Sequence, residues 1–214
     1  MKGDVIIVEE HHRRASAVIA ERLAADVRGR RRRSTITVAG ESGSGKSEMG
    51  RALVDAFDGL GIPGVVLGQD DYFVLPPRSN DRARRADIST VGPQEVRLDL
   101  LDQHLAAARS GASMIRKPLV IYADDVIEEE TISLADARVI VAEGTYTTLL
   151  QNVDTRVFIA RNRLDTMEAR ARRAREPADP FIEEVLQIEH GIIEGHRSRA
   201  DVVLSRDYEV EFVR

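Results

Sequence analysis

Apolar residues recur along the chain in two rhythms. Val18, Ile19, Leu23 and Val27 fall at helical spacing and predict an amphipathic helix over about 15–27. Thr35-Ile36-Thr37-Val38-Ala39 is short, rich in β-branched residues and closed by glycine, which predicts a buried strand. After a Gly-rich turn, Leu53, Val54 and Phe57 share one side of a helix over 49–57. Gly59, Gly61, Pro63 and Gly64 break the chain before a second strand, Val65-Val66-Leu67. Residues 76–89 are polar, carry Pro, Asn and four Arg, and read as a mobile excursion. Pro93 suits a first helical turn, so a helix is expected from there through Val96, Leu100, Leu101 and Leu105. Leu119 to Tyr122 and Val126 to Ser133 read as extra strands or a hairpin. Val139 to Ala142, Arg156 to Ala160 and Val202 to Leu204 supply three further strands. An Arg-rich helix (164–175) and another helix (181–196) lie between the last two. Strands alternating with helices imply parallel βαβ units: an α/β chain, three layers deep, around a mainly parallel five-stranded sheet.

With 214 residues, 43% hydrophobic and 31% charged, the chain has enough apolar mass for one such domain and is not composed like a disordered one. The expected organisation is a strand and helix extension over 1–33 before a main domain over 34–214. Lys and Arg total 31 against 36 Asp and Glu, a net charge of −5, which argues against a dedicated nucleic-acid binder. The absence of Cys excludes disulfides, thiolate zinc sites and thiol catalysis. Val5-Ile6-Ile7-Val8 runs at once into Glu9-Glu10-His11-His12-Arg13-Arg14, so no secretory signal is read there. No apolar run approaches the roughly 20 residues of a membrane span. The expectation is a soluble, cytoplasmic protein with no membrane partner; its oligomeric state is left open. The run Arg28-Gly29-Arg30-Arg31-Arg32-Arg33 could hold phosphate, but under an acidic total it reads as a solvated connector. His11, His12, His104, His190 and His196 show no metal-ligand spacing.

The most informative stretch is Gly40-Glu41-Ser42-Gly43-Ser44-Gly45-Lys46-Ser47, a full match to G-x-x-x-x-G-K-[ST] between a strand and a helix. Glycines let successive backbone N–H groups turn toward phosphate oxygens, and the following helix aims its positive end at the same anion. Lys46 reaches the β- and γ-phosphates and the Ser47 hydroxyl is placed for Mg²⁺. The segment therefore predicts nucleoside triphosphate binding on a P-loop NTPase fold.

Acidic residues at the ends of other strands suggest the reaction. Gln69-Asp70-Asp71-Tyr72-Phe73 follows the second strand, where ligands of parallel sheets sit. A carboxylate there can take a proton from an acceptor hydroxyl or hold a metal-bound water; alternatively the Asp pair is a turn or helix cap. Glu143-Gly144 ends another strand, where an acid can orient Mg²⁺ or its waters. Arg161, Arg163, Arg170, Arg172, Arg173 and Arg175 are planar donors suited to a transferring phosphate, although a solvated helix face would look the same.

From about Ser34 to Arg206 the chain resembles the uridine kinase/phosphoribulokinase branch of P-loop kinases. Gln69-Asp70-Asp71-Tyr72-Phe73 is similar to the family's Q-D-S-F-Y segment, which implies Asp70 as catalytic base and a site for metal. Glu129-Glu130-Thr131 through Glu143-Gly144 resembles, without gaps, the family's E-E-T…F-E-G stretch, implying Glu143 as the magnesium-associated acid. Arg163-Leu164, Arg170 and Arg175 resemble the R-L…R-D-x-x-x-R lid, expected over about 163–178, and imply catalytic roles for Arg170 and Arg175. The implied activity is ATP- and Mg²⁺-dependent phosphorylation of a small molecule's hydroxyl, with a small β insertion on the acceptor side and Phe73 and Tyr122 against the acceptor. The departures concern that acceptor. Where uridine kinases carry P-x-Y-D-F, this chain has Pro118-Leu119-Val120-Ile121-Tyr122, and Asp125 stands where the family has a histidine. The family's D-H-P-D-A-F-D appears as Val91-Gly92-Pro93-Gln94-Glu95-Val96-Arg97. Losing polar groups built to read one substrate costs recognition of it, so kinase chemistry is expected with a diverged acceptor site, and a pyrimidine or other nucleoside, a sugar phosphate, glycerate and a vitamin precursor stay open as acceptors.

Two other classes compete. Asn162-Arg163-Leu164-Asp165 faintly resembles the guanine-reading N-K-x-D of regulatory GTPases, but the Lys is replaced and no D-x-x-G follows a strand at a plausible distance. A degenerate nucleotide-binding protein without kinase activity is the third class. If the acceptor were a sugar phosphate, Arg78, Arg82, Arg84 and Arg85 could line a cationic pocket; otherwise they are a solvated loop.

Overall fold

The structure is a computed structural model that describes residues 1–3, 5–162, 164–165 and 179–214. Five parallel strands form the centre: β1 (Ser34–Gly40), β2 (Gly64–Gly68), β5 (Val139–Glu143), β6 (Thr155–Ile159) and β7 (Val202–Leu204). The sheet order is β2-β5-β1-β6-β7, with β8 (Val210–Phe212) beyond β7. β1 and β5 are buried along their whole length, as strands covered on both faces must be. The five expected strands are therefore present, and β8 (Val210–Phe212) adds a sixth, antiparallel to β7. Its three residues are too short to announce themselves by pattern; the turn before it is made by Tyr208, a non-glycine at φ 63°.

Each face of the sheet has its own core. On one side α1 (Glu10–Gly29) and α2 (Lys46–Gly59) pack together, burying Ile19, Ala20, Val27, Leu53 and Phe57 against Ile36, Val38 and Val141. On the other side α4 (Leu98–Arg109), the hairpin β3 (Met114–Ile121) and β4 (Val126–Ser133), and the helix α5 (Pro180–Ile193) cover Ala39, Ile140 and Phe158, through Leu101, Leu105, Ile115 and Ile193 among others. Of the two readings of this stretch, extra strands or a hairpin, the structure has the hairpin, as a two-stranded sheet of its own.

Four readings of the sequence need correction. Val5 to Val8 pairs in no sheet, and Val5 and Ile7 are 77% and 65% exposed, so among its described residues the extension contributes a helix but no strand. Residues 77–86 are α3 (Pro77–Ala86), not an excursion. It has no apolar stripe to betray it; Asp125, from the hairpin turn, accepts from the N–H of Arg78 at 2.7 Å and from the Ser79 hydroxyl at 2.9 Å, and so caps it from outside. Pro93 opens only a single 3₁₀ turn, Pro93–Glu95, and the helix begins later, at Leu98. The arginine run is a clamp rather than a solvated connector. Arg33 donates to the carbonyls of Ala137, Ala108, Ala112 and Leu134 at 2.8–2.9 Å, and Arg32 forks onto Asp154 at 2.6 and 2.8 Å. The Arg-rich helix and the lid expected over 163–178 lie outside the described residues apart from Leu164 and Asp165, which form a turn.

Candidate active site

Register puts the informative strand ends side by side. Glu143 of β5 pairs with Gly68 of β2 on one side and Val38 of β1 on the other. The phosphate loop, the acidic turn after β2 and the Glu143-Gly144 corner thus share the carboxyl edge of the sheet, where helix N-termini converge.

The loop's shape depends on its glycines. Gly43 and Gly45 sit at φ 75° and 91°, a region costly for residues with a Cβ. A Cβ on Gly45 would lie 2.1 Å from the Tyr208 hydroxyl and 2.9 Å from His12 Nε2. That hydroxyl donates to the carbonyl of Ser44 at 2.5 Å and lies 3.2 Å from His12 Nε2, so α1 and the turn before β8 buttress the loop from behind. Lys46 Nζ folds back onto the carbonyl of Glu41 at 2.9 Å, and the Glu41 carboxylate meets His190 Nδ1 of α5 at 2.7 Å. The buried Ser44 hydroxyl has no hydrogen-bond partner among the described residues. A cradle of inward-turning amides at a helix N-terminus is chemically suited to a polyphosphate.

Glu143 is 8% exposed and accepts from the Ser47 hydroxyl at 3.2 Å. Gly50 and Gly68 make room for it: a Cβ on either would come within 3.0–3.2 Å of its side chain. Burial first, and then the negative charge of Asp70, push its carboxyl up to about 7, against the pull of Lys46 and Ser47. Asp70 itself is exposed in the 3₁₀ turn Gln69–Tyr72. Ser47, Glu143 and Asp70 form an all-oxygen donor set, the type that Mg²⁺ prefers. Gly144 is needed as well, because at φ 155° a Cβ there would stand 2.2 Å from Cβ of Gln69.

Asp70 and Asp71 are neighbours with opposite surroundings. Asp71 is buried; it accepts from Lys117 Nζ at 2.6 Å and from the Val120 N–H at 3.0 Å, fastening the hairpin to the sheet edge. Phe73 and Tyr122 are half-buried; Phe73 bridges to Val96 and packs on the second core. Arg170 and Arg175 fall outside the described residues, as do Arg163, Arg172 and Arg173. Asn162 and Asp165 hold one another, with the Asn162 side-chain oxygen accepting from the N–H groups of Leu164 and Asp165. Their polar atoms close a turn.

A second polar group lies beside these residues and escaped the sequence reading. Arg84 of α3 donates to both carboxylate oxygens of Glu95, at 2.5 and 2.9 Å, and to Glu189 of α5 at 3.2 Å. The Tyr146 hydroxyl, close to all three, is buried without a partner among the described residues. No motif links these positions, which come from three elements and a loop.

The profile of the Phosphoribulokinase / Uridine kinase family matches residues 35–165, from β1 to the turn after β6. The chain belongs to this family. Among relatives, the bifunctional alpha-galactosidase/sucrose kinase AgaSK of Mediterraneibacter gnavus is 29% identical over 189 residues, 82% of this chain and 20% of that protein. A uridine kinase of Ureaplasma urealyticum is 29% identical over 128 residues, 58% of this chain and 60% of that protein. The chain thus spans about a fifth of the first relative and three fifths of the second. The solved structure of a possible uridine kinase from Bacillus stearothermophilus shares the fold, with a TM-score of 0.61, 20% identity, and coverage of 89% of this chain and 97% of that one. No helix among the described residues of this family member is long and apolar enough to cross a membrane.

Proposed function

We propose that this chain is an ATP- and Mg²⁺-dependent kinase that transfers the γ-phosphoryl group to a hydroxyl of a small molecule. The observation that carries this reading is the convergence of Lys46, Ser47, Asp70 and Glu143 on one sheet edge, behind a loop shaped for phosphate. Kinase relatives, one of a sugar and one of a nucleoside by name, support it.

In this reading the amides and side chains of Gly40, Glu41, Ser42, Gly43, Ser44 and Gly45 cradle the triphosphate, and Lys46 leaves the Glu41 carbonyl for its outer phosphates. Ser47, Glu143 and Asp70 hold the metal, which when bound neutralises the developing charge on the phosphates. Asp70, exposed at the mouth of the site, accepts the proton of the acceptor hydroxyl. The acceptor oxygen bonds to the γ-phosphorus as the bond to the bridging oxygen of ADP breaks. Arg170 and Arg175 supply guanidinium charge to the transferring group, and Phe73 and Tyr122 flank the acceptor. Purified protein with Mg-ATP and a metabolite panel should release ADP only when an acceptor is present, and Lys46→Ala should abolish that release. ADP formation indifferent to acceptor, or unchanged in Lys46→Ala, would refute the reading.

A further inference from the structure

The polar group around Tyr146 bears on what the acceptor is. Tyr146 follows the Glu143-Gly144 corner, and its N–H donates to Gln69 Oε1 at 2.7 Å, one residue before Asp70. Glu189 is within electrostatic reach of Lys46 as well as Arg84. The cluster of Arg84, Glu95, Glu189 and Tyr146 therefore adjoins the point where an acceptor hydroxyl would meet Asp70.

The cluster's chemistry is selective. Glu95 is fully engaged, accepting from Asn80, from Arg84 and from the Gly92 N–H. Glu189 accepts only from Arg84 among the described residues, and the Tyr146 hydroxyl and Gln69 Nε2 have no partner there. The site thus offers a carboxylate acceptor, a phenol and an amide donor, a set that matches several hydroxyls on one small molecule. A negatively charged acceptor would have to approach Asp70, Glu143 and Glu189 together. The α3 arginines that could have received its charge are engaged: Arg78 with the Ala123 carbonyl, Arg82 with Ser79, Arg84 with the two glutamates, and Arg85 with Asp81 and Asp179. A nucleobase fares no better. The β3 side chains Leu119, Val120 and Ile121 offer it no hydrogen bond, and the Asp125 carboxylate is occupied in capping α3.

Resting on the kinase reading above, we propose that the acceptor is a neutral polyhydroxy compound, a sugar or polyol, gripped by Glu189, Tyr146 and Gln69 with Arg84 holding Glu189 in place. The full chain with Mg-ATP should be assayed for ADP release against neutral sugars and polyols, nucleosides, and phosphorylated sugars. Binding of each compound to the Mg-ADP complex should be followed in parallel by calorimetry. A neutral sugar or polyol is expected to be the best acceptor, its phosphorylated counterpart at least about 100-fold poorer. Tyr146→Phe and Glu189→Gln should each raise the acceptor KM about tenfold, with kcat and the affinity for ATP much less affected. A hydroxyl with only a structural role would leave KM where it was. A nucleoside or a phosphorylated sugar as best acceptor, no neutral compound bound or turned over, or an unmoved KM in both variants would overturn the proposal. Each of these results leaves the kinase reading standing as long as some acceptor drives Lys46-dependent ADP release; ADP release that no acceptor raises is what would bring down the reading beneath it.

Discussion

Gly144 is where the Glu143 corner and the Asp70 turn touch. Any side chain there must push Gln69 aside, since its Cβ would fall 2.2 Å from that of Gln69, and must also adopt a φ of 155°. Gly144→Ala should therefore cost about 1–3 kcal/mol, read as a lowered urea midpoint, and should disturb Asp70 through the residue beside it. Asp70→Asn makes the complementary test, because it keeps shape and removes basicity. It should lower kcat about 10²–10⁴-fold while calorimetry shows nearly parental binding of ATP in the absence of Mg²⁺; a parental kcat would remove Asp70 from the role of base. The sequence revealed residues at this scale wherever chemistry and backbone shape are tied to consecutive positions. Gly40 to Ser47 could be read whole because each glycine serves one turn of one loop. Tyr146, Glu189 and Arg84 could not, since nothing in their spacing says that three separate segments bring them together.

At the scale of elements, legibility followed hydrophobic contrast. The five parallel strands and α2 carry strong apolar patterns and appeared where the pattern put them. α3 has Asn80 as its only buried residue, so its helicity comes from partners far away in sequence, and a polar stretch with a proline read as loop. Its cap is the Asp125 carboxylate, held at φ 55° in the hairpin turn, where hydrogen bonds from Ser79 and Arg78 outweigh burial and keep the carboxyl below its usual range. Asp125→Ala should fray the first turn of α3. Hydrogen exchange should rise at Arg78 and Ser79, whose N–H groups lose their acceptor, while the amides of β1 and β5 keep their protection. Unchanged exchange at Arg78 would mean that packing alone forms the helix.

Over the whole molecule, the edge of the sheet opposite the candidate site is tied by one carboxylate. Asp154, just before β6, takes two hydrogen bonds from Arg32, one from the Thr35 N–H at 3.0 Å, and lies 3.3 Å from Arg30 and 3.6 Å from Arg109 at the end of α4. It thus joins the connector after α1, β1, β6 and α4, which explains why so many arginines sit where composition suggested a solvated link. Burial would raise the Asp154 carboxyl, but the Arg32 and Thr35 hydrogen bonds and the flanking guanidinium charges hold it down to about 2. A carboxyl lower in the folded state than in the unfolded one contributes stability above its unfolded value, near 3.8, and that contribution drains away as pH falls toward 2. Asp154→Asn should therefore be less stable than the parent by about 2 kcal/mol near neutrality, a figure moderated by the partly exposed arginines. The difference between their urea midpoints should hold from pH 7 to about 5 and then shrink through pH 4 and 3 as the parent loses its charge. Because this tie lies at the far edge from Lys46 and Asp70, Mg-ATP affinity at neutral pH should be alike in the two proteins. A gap that persisted undiminished at pH 3 would mean that Asp154 acts through shape rather than charge.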